Sequence, residues 1–75
     1  MKLIDIIKDA FAAEDGTFGD EVRLMSYAGW DSMAHMFFIT KLEELYKVEL
    51  TGDEIATMQT VGDVKRILLS KGVNL

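Results

Sequence analysis

With 75 residues, the chain is long enough for one small domain, which can remove only about 60% of its unfolded surface from water and has little room for an active-site cleft. It contains no cysteine and one histidine, which excludes disulfides, thiolate ligands and the usual metal constellations. Its formal charge of −5, from 13 acidic and 8 basic residues, argues against nucleic-acid binding and favours basic partner proteins.

The first predicted helix runs from Lys2 to Ala13, because apolar residues recur there at three- and four-residue spacings while charged residues can face water. Its apolar stripe comprises Leu3, Ile7, Ala10 and Phe11, with Ile4 alongside. Asp15-Gly16 is expected to end the helix, and the stretch from there to Gly29 is predicted to be a long ordered loop pinned by Leu24 and Tyr27. Such a loop either has a function or simply crosses between helix ends.

The second predicted helix covers Ser32 to Tyr46, where three- and four-residue spacings again define one apolar face. Its expected core positions are Met36, Ile39, Leu42 and Tyr46. Lys41, Glu43 and Glu44 are expected to remain solvated.

Two capping boxes predict the remaining helix starts. Thr51-Gly52-Asp53-Glu54 precedes a short third helix that ends near Met58, and Thr60-Val61-Gly62-Asp63 precedes a fourth helix that Gly72 stops. The apolar face of the fourth helix comprises Val64, Ile67 and Leu68. The sequence therefore predicts one all-α domain over residues 1–75. We expect a small four-helix bundle of three main helices and one short helix, with a long loop between helices one and two.

The segment Gly29-Trp30-Asp31-Ser32-Met33 places a serine at the start of the second helix. A phosphate attached to Ser32 would lie beside unpaired N–H groups and the positive end of the helix dipole. Asp and Ser are also ordinary N-cap residues, so capping alone is a competing explanation. Leu42-Glu43-Glu44-Leu45-Tyr46 and Thr60-Val61-Gly62-Asp63-Val64 follow in order, and with them the sequence resembles the acyl carrier proteins over nearly its whole length.

The resemblance implies that Ser32 accepts 4′-phosphopantetheine from coenzyme A, whose thiol then carries an acyl or aminoacyl group as a thioester. Asp31 would belong to the cofactor site as well as cap the helix. The implied partners are a phosphopantetheinyl transferase, a loading ligase or transferase for acyl or aminoacyl groups, and synthase enzymes of fatty-acid, polyketide or related biosynthesis. The domain itself would not be an enzyme.

Charge near the start of the chain and the lack of a long apolar run bear on location. Lys2 and Asp5 interrupt any signal-peptide core, and no apolar stretch approaches the length that crosses a bilayer. We expect a cytoplasmic monomer without membrane insertion.

The surface of helix two departs from the pattern common in fatty-acid synthesis. Ala34 and Phe37 stand where acids are usual, whereas Glu43 and Glu44 match later acids that could meet a basic partner. Met33 and Phe37 are four residues apart and are candidates for an exposed apolar patch that contacts partners. Alternatively, Phe37 packs under the long loop as part of the core. The departures favour a specialised pathway over housekeeping fatty-acid synthesis.

Other interpretations concern neighbouring side chains. Trp30 either anchors the loop or contacts the prosthetic arm or a partner. Ser32 and His35 stand three residues apart, but no nucleophile elbow supports a hydrolase, and His35 is expected at the surface or half-buried. Polar loop residues lack the spacing of a calcium-binding EF-hand; they are Asp15, Thr17, Asp20 and Glu21. The main alternative is a carrier-like helical interaction module without a prosthetic group.

Overall fold

The computed structural model describes residues 2–13 and 18–74. Within these ranges the chain forms four α-helices: α1 (Leu3–Phe11), α2 (Ser32–Tyr46), α3 (Gly52–Thr57) and α4 (Val61–Ser70). In the described part of the connection between α1 and α2, a 3₁₀ turn covers Leu24–Ser26. The predicted all-α bundle with one short helix is confirmed. None of the helices in the described ranges is long and apolar enough to cross a membrane.

Helix α1 ends at Phe11, and Ala12 adopts a left-handed conformation with φ of 50°. The predicted stop at Asp15-Gly16 and the loop residue Thr17 lie outside the described residues. Leu3, Ile7 and Phe11 are buried as predicted, but Ile6 is buried too, whereas Ile4 is exposed. At about 100° per residue, Ile6 lies about 60° from Leu3 around the helix axis, on the side opposite Ile7, and so widens the buried face. Ile4 lies about 100° from Leu3, at the edge of that face.

Helix α2 has the predicted bounds, and one of its expected core positions is wrong. Ile39 and Leu42 are buried, and Tyr46 is half-buried against them. Met36 is 51% exposed, whereas Phe38 is fully buried. Nearly every position from Met33 to Ile39 is apolar, so the sequence period alone does not distinguish the buried side of this helix from its exposed side.

An aromatic cluster joins α1, the long loop and α2 at the centre of the core. The rings of Phe11 and Phe38 lie 5.2 Å apart between centroids, and Tyr27 stacks on Phe11 at 6.0 Å. Leu24 and Tyr27 are buried, which confirms that they pin the loop. The contacts fix the end of the loop that leads into α2.

The same loop is hydrogen-bonded to the segment that opens α4. The Leu24 N–H donates to the Gln59 carbonyl at 2.9 Å, and the Val61 N–H donates to the Val22 carbonyl at 3.0 Å. Lys65 forms an ion pair with Asp20 at 2.8 Å. The described part of the loop is therefore ordered, as predicted.

Both predicted capping boxes are present. The Thr51 hydroxyl accepts from the Glu54 N–H at 3.1 Å, and the Glu54 carboxylate accepts from the Thr51 N–H at 2.9 Å. Thr60 and Asp63 make the same reciprocal pair at the start of α4. Gly72 follows α4 with φ of 83°, a conformation that favours glycine.

Candidate functional site at the start of helix α2

Ser32 is the first residue of α2, and its side chain is exposed. Asp31 caps the helix: its carboxylate accepts from the Ala34 N–H at 2.7 Å, and its carbonyl accepts from the His35 N–H at 2.9 Å. The predicted capping role of Asp31 is confirmed. Neither the hydroxyl nor the backbone N–H of Ser32 forms a hydrogen bond with any residue that the structure describes. The hydroxyl is therefore exposed to solvent and unpaired among these residues.

The backbone before Ser32 is held closely against the end of α1. A side-chain carbon at Gly29 would collide with the Phe11 carbonyl, so this close approach requires glycine. The next residue, Trp30, donates its N–H to the Tyr27 carbonyl at 3.0 Å. Tyr27 is itself buried, and Trp30 stands only two residues before Ser32. The position of Ser32 is therefore fixed relative to the aromatic core.

Trp30 is partly buried against the core, as the loop-anchoring interpretation predicted. Its indole Nε1–H donates to Nδ1 of His35 at 3.4 Å, and the two ring centroids are 6.0 Å apart. Burial lowers the pKa of His35, and a hydrogen bond with the Ile55 backbone partly opposes this effect. His35 is thus half-buried, as expected, and its ring contacts Trp30 rather than Ser32.

A cleft of about 390 Å³ opens beside this pair, between the loop and α3. Its lining residues are Arg23, Met25, Trp30, His35, Ile55, Ala56, Met58 and Gln59. The sequence did not predict the cleft, because its walls come from two separate stretches of the chain, residues 23–35 and 55–59. Only the three-residue spacing of Ile55 and Met58 hinted that α3 presents an apolar side to a neighbour.

A second groove of about 580 Å³ lies at the other end of the bundle. Lys2, Tyr46 and Leu69 are among its lining residues. Tyr46 ends α2 and Ser32 begins it, a separation of about 21 Å along a helix axis. This groove is therefore remote from Ser32.

Three large apolar side chains are exposed on the first half of α2. Met33 is 84% exposed, Met36 is 51% exposed and Phe37 is 45% exposed. We call Met33, Met36 and Phe37 the apolar patch. The Lys41 ammonium lies 5.5 Å from the centroid of the Phe37 ring. The alternative that Phe37 packs in the core is wrong, because its neighbour Phe38 occupies that place.

The two acids later in α2 have different environments. Glu44 is exposed, as expected. Glu43 is half-buried, and its carboxylate accepts from the Leu50 N–H at 2.9 Å, so the expectation that it remains solvated is wrong. Lys41 is also half-buried. Glu43 stabilises the connection after α2, which leaves Glu44 as the freer acid for a partner.

No protein-family model matches this sequence, and a search of curated proteins found no significant match. The acyl-carrier interpretation therefore depends on the residues and on the geometry around Ser32.

Proposed function

We propose that this protein is an acyl carrier protein that carries an acyl or aminoacyl intermediate on 4′-phosphopantetheine attached to Ser32. The observation that carries the proposal is the exposed, unpaired Ser32 hydroxyl at the first turn of a fifteen-residue helix, within the motif Asp31-Ser32-Met33. A carrier needs an accessible attachment point more than it needs a cleft. The small size of the domain agrees with that requirement.

The residues around Ser32 fit a phosphodiester. The Asp31 carboxylate is engaged with the Ala34 N–H, so it does not compete for the amide groups of Ser32 and Met33. Those two amides and the positive end of the α2 dipole favour a negative group at this place. In the modification, the Ser32 oxygen forms the new P–O bond as the pyrophosphate of coenzyme A breaks, and the hydroxyl proton and adenosine bisphosphate leave. The attached arm would supply the reactive thiol that a cysteine-free chain lacks.

The neighbouring residues have separate roles in this proposal. Asp31 orders the first turn of α2, on which Ser32 is the first residue. Trp30, two residues before Ser32, lines the cleft and contributes an aromatic ring to its wall. This cleft, which Arg23 also lines, is the surface that we propose an arm on Ser32 would contact.

The partners in this proposal are a phosphopantetheinyl transferase, a loading ligase or transferase, and downstream synthases. The apolar patch, which begins one residue after Ser32, is the surface that we propose they contact. Glu44 adds a negative charge on the same helix. Apolar contacts respond little to salt, whereas ion pairs weaken as salt screens them. Affinity that resists added salt but falls in Met33→Ala or Phe37→Ala would support docking through the patch.

The intact mass after incubation with coenzyme A, magnesium and a permissive phosphopantetheinyl transferase tests the function. The parent should gain one phosphopantetheine, and Ser32→Ala should gain none. Ser26→Ala is a matched control, because Ser26 is also exposed and lies in the connection that leads into α2, but its hydroxyl donates to the Arg23 carbonyl. No gain in the folded parent with several transferases would contradict the proposal.

The second candidate is a carrier-like helical interaction module without a prosthetic group. The apolar patch favours it, because a monomer rarely exposes adjacent large apolar side chains without using them. The two candidates differ in the mass experiment. An interaction module would stay unmodified while patch variants still lost partner binding.

A further inference from the structure

We infer that His35 is a positioning residue for Ser32: its neutral imidazole holds the Trp30 indole by accepting the indole N–H, and protonation of the ring releases Trp30 and changes how Ser32 is presented. The functional part of this inference rests on the proposed modification of Ser32. The structural part, the release of Trp30, does not.

The hydrogen-bonding capacity of the two rings carries the argument. An indole has one N–H and no acceptor, so Trp30 needs an acceptor, which Nδ1 of neutral His35 supplies at 3.4 Å. Since Nδ1 accepts, the proton of the neutral ring is on Nε2, which is then the donor available to the Ile55 backbone. In the protonated ring both nitrogens are donors, and the Trp30 N–H would face another N–H.

His35 lies where three elements meet. It is on the first turns of α2, contacts the residue two positions before Ser32, and lines the same cleft as Ile55 of α3. Nε2 is a donor in both forms of the ring, so protonation removes the acceptor for the Trp30 N–H and leaves a donation to Ile55 possible. Because Trp30 lines the cleft and stands two residues before Ser32, its release would loosen the cleft wall and the approach to Ser32 together.

Among the described residues no carboxylate forms an ion pair with the His35 ring. Arg23 is the charged residue in the cleft lining, and its charge has the same sign as an imidazolium. Just before α2, the Asp31 carboxylate accepts from the Ala34 N–H. On α3, Asp53 is exposed, and Glu54 is paired with Lys71 at 2.8 Å. Burial lowers the pKa of His35 below its ordinary value, so the neutral ring is the resident form near pH 7.

The chain contains one tryptophan and one histidine, so the tryptophan fluorescence comes from Trp30 alone and the imidazole NMR signals come from His35 alone. We would record Trp30 fluorescence of the unmodified protein from pH 8 to pH 5, and titrate the His35 ring by NMR in the same samples. The expected result is one fluorescence transition below about pH 6.5 whose midpoint equals the His35 midpoint. His35→Gln keeps an acceptor but does not titrate, so its fluorescence should remain level over this range.

Two results would overturn the release of Trp30: a fluorescence transition that persists in His35→Gln, or a midpoint in the parent that differs from that of the ring. If His35→Gln fails to fold, as circular dichroism would reveal, the comparison of the two midpoints in the parent still decides. A parent with no fluorescence change across the His35 titration also contradicts the inference.

A second experiment tests the effect on Ser32 modification. We divide the modification rate of the parent by that of His35→Gln at each pH, so that the transferase's own pH dependence cancels. At low carrier concentration this ratio should fall roughly two- to tenfold as His35 becomes protonated, the range that one hydrogen bond supports. The lower rate should come from a higher KM of the parent and not from a lower kcat, because the reacting atoms do not change. A level ratio contradicts the positioning role. Absence of any modification contradicts the proposed function instead, and leaves the fluorescence result standing.

Discussion

Phe37 and Phe38 are adjacent in the chain, but Phe37 is 45% exposed while Phe38 is fully buried. Replacing each by alanine removes the same atoms from the same helix. The difference between the two free energies of unfolding therefore measures burial directly. It tests whether the apolar patch is a surface or part of the core.

The magnitudes follow from the two environments. Phe38→Ala removes a ring that packs on Phe11 at 5.2 Å between centroids, and should lower the free energy of unfolding by about 3–5 kcal/mol. Phe37→Ala loses about half of the transfer free energy of a phenylalanine and the weak contact with Lys41. Alanine's better helix propensity offsets part of this loss. The net cost should be about 1 kcal/mol or less.

Urea denaturation followed by circular dichroism supplies both values, and the fluorescence of Trp30 gives an independent probe. A domain of 75 residues has a total stability of about 4–11 kcal/mol, so Phe38→Ala approaches the limit of folding, and Phe38→Leu serves as a milder second variant. Equal losses for Phe37→Ala and Phe38→Ala would refute the assignment of Phe37 to the surface. Lost partner turnover in a fully folded Phe37→Ala would support docking.

Three further predictions concern the α2 cap, the close approach of Gly29 to α1, and the ion pair of Glu54 with Lys71. Asp31→Ala should lower the free energy of unfolding by about 1 kcal/mol through loss of the α2 cap, whereas Asp31→Asn should retain most of it in the same denaturation assay. Gly29→Ala should cost about 1–3 kcal/mol by steric conflict with α1, while Gly52→Ala, which meets no atom within 4 Å, should be neutral or stabilising by thermal unfolding. The hydrogen bond from Lys71 holds the pKa of Glu54 below its usual 4.5, so its stabilisation should persist above that pH and disappear as pH falls through the lower folded pKa. Glu54→Gln should lack this component of the pH dependence, and an unchanged acid profile would contradict it.

The sequence predicted best those features whose interacting residues are close together in the chain. The boxes of Thr51 with Glu54 and of Thr60 with Asp63 involve partners three residues apart, so the pattern contains the whole interaction. The same holds for Asp31, which caps a helix whose start it precedes by one residue. The bounds of α2 follow from this cap and from the long run of helix-compatible residues after it.

The errors occur where many neighbouring residues are apolar. In α2 the spacing selected Met36 as a core residue and did not select Phe38, whereas in the structure Phe38 is the one that packs against Phe11. The bond between Trp30 and His35 was not predicted either, although the two residues are only five apart. Its formation depends on the turn that Gly29 makes against α1, which no local spacing encodes.

The stabilising contacts of α2 and its candidate site occupy different parts of the helix. Phe38, Ile39 and Leu42 are buried in the middle of the helix, whereas Ser32 and Met33 are exposed at its start. Changes to the hydroxyl or to the patch therefore remove little buried surface, and they test function in a protein that remains folded. Gly29 differs, because a substitution there disturbs the packing that positions Ser32. Loss of modification at Gly29 thus has to be compared with stability before it is assigned to the site.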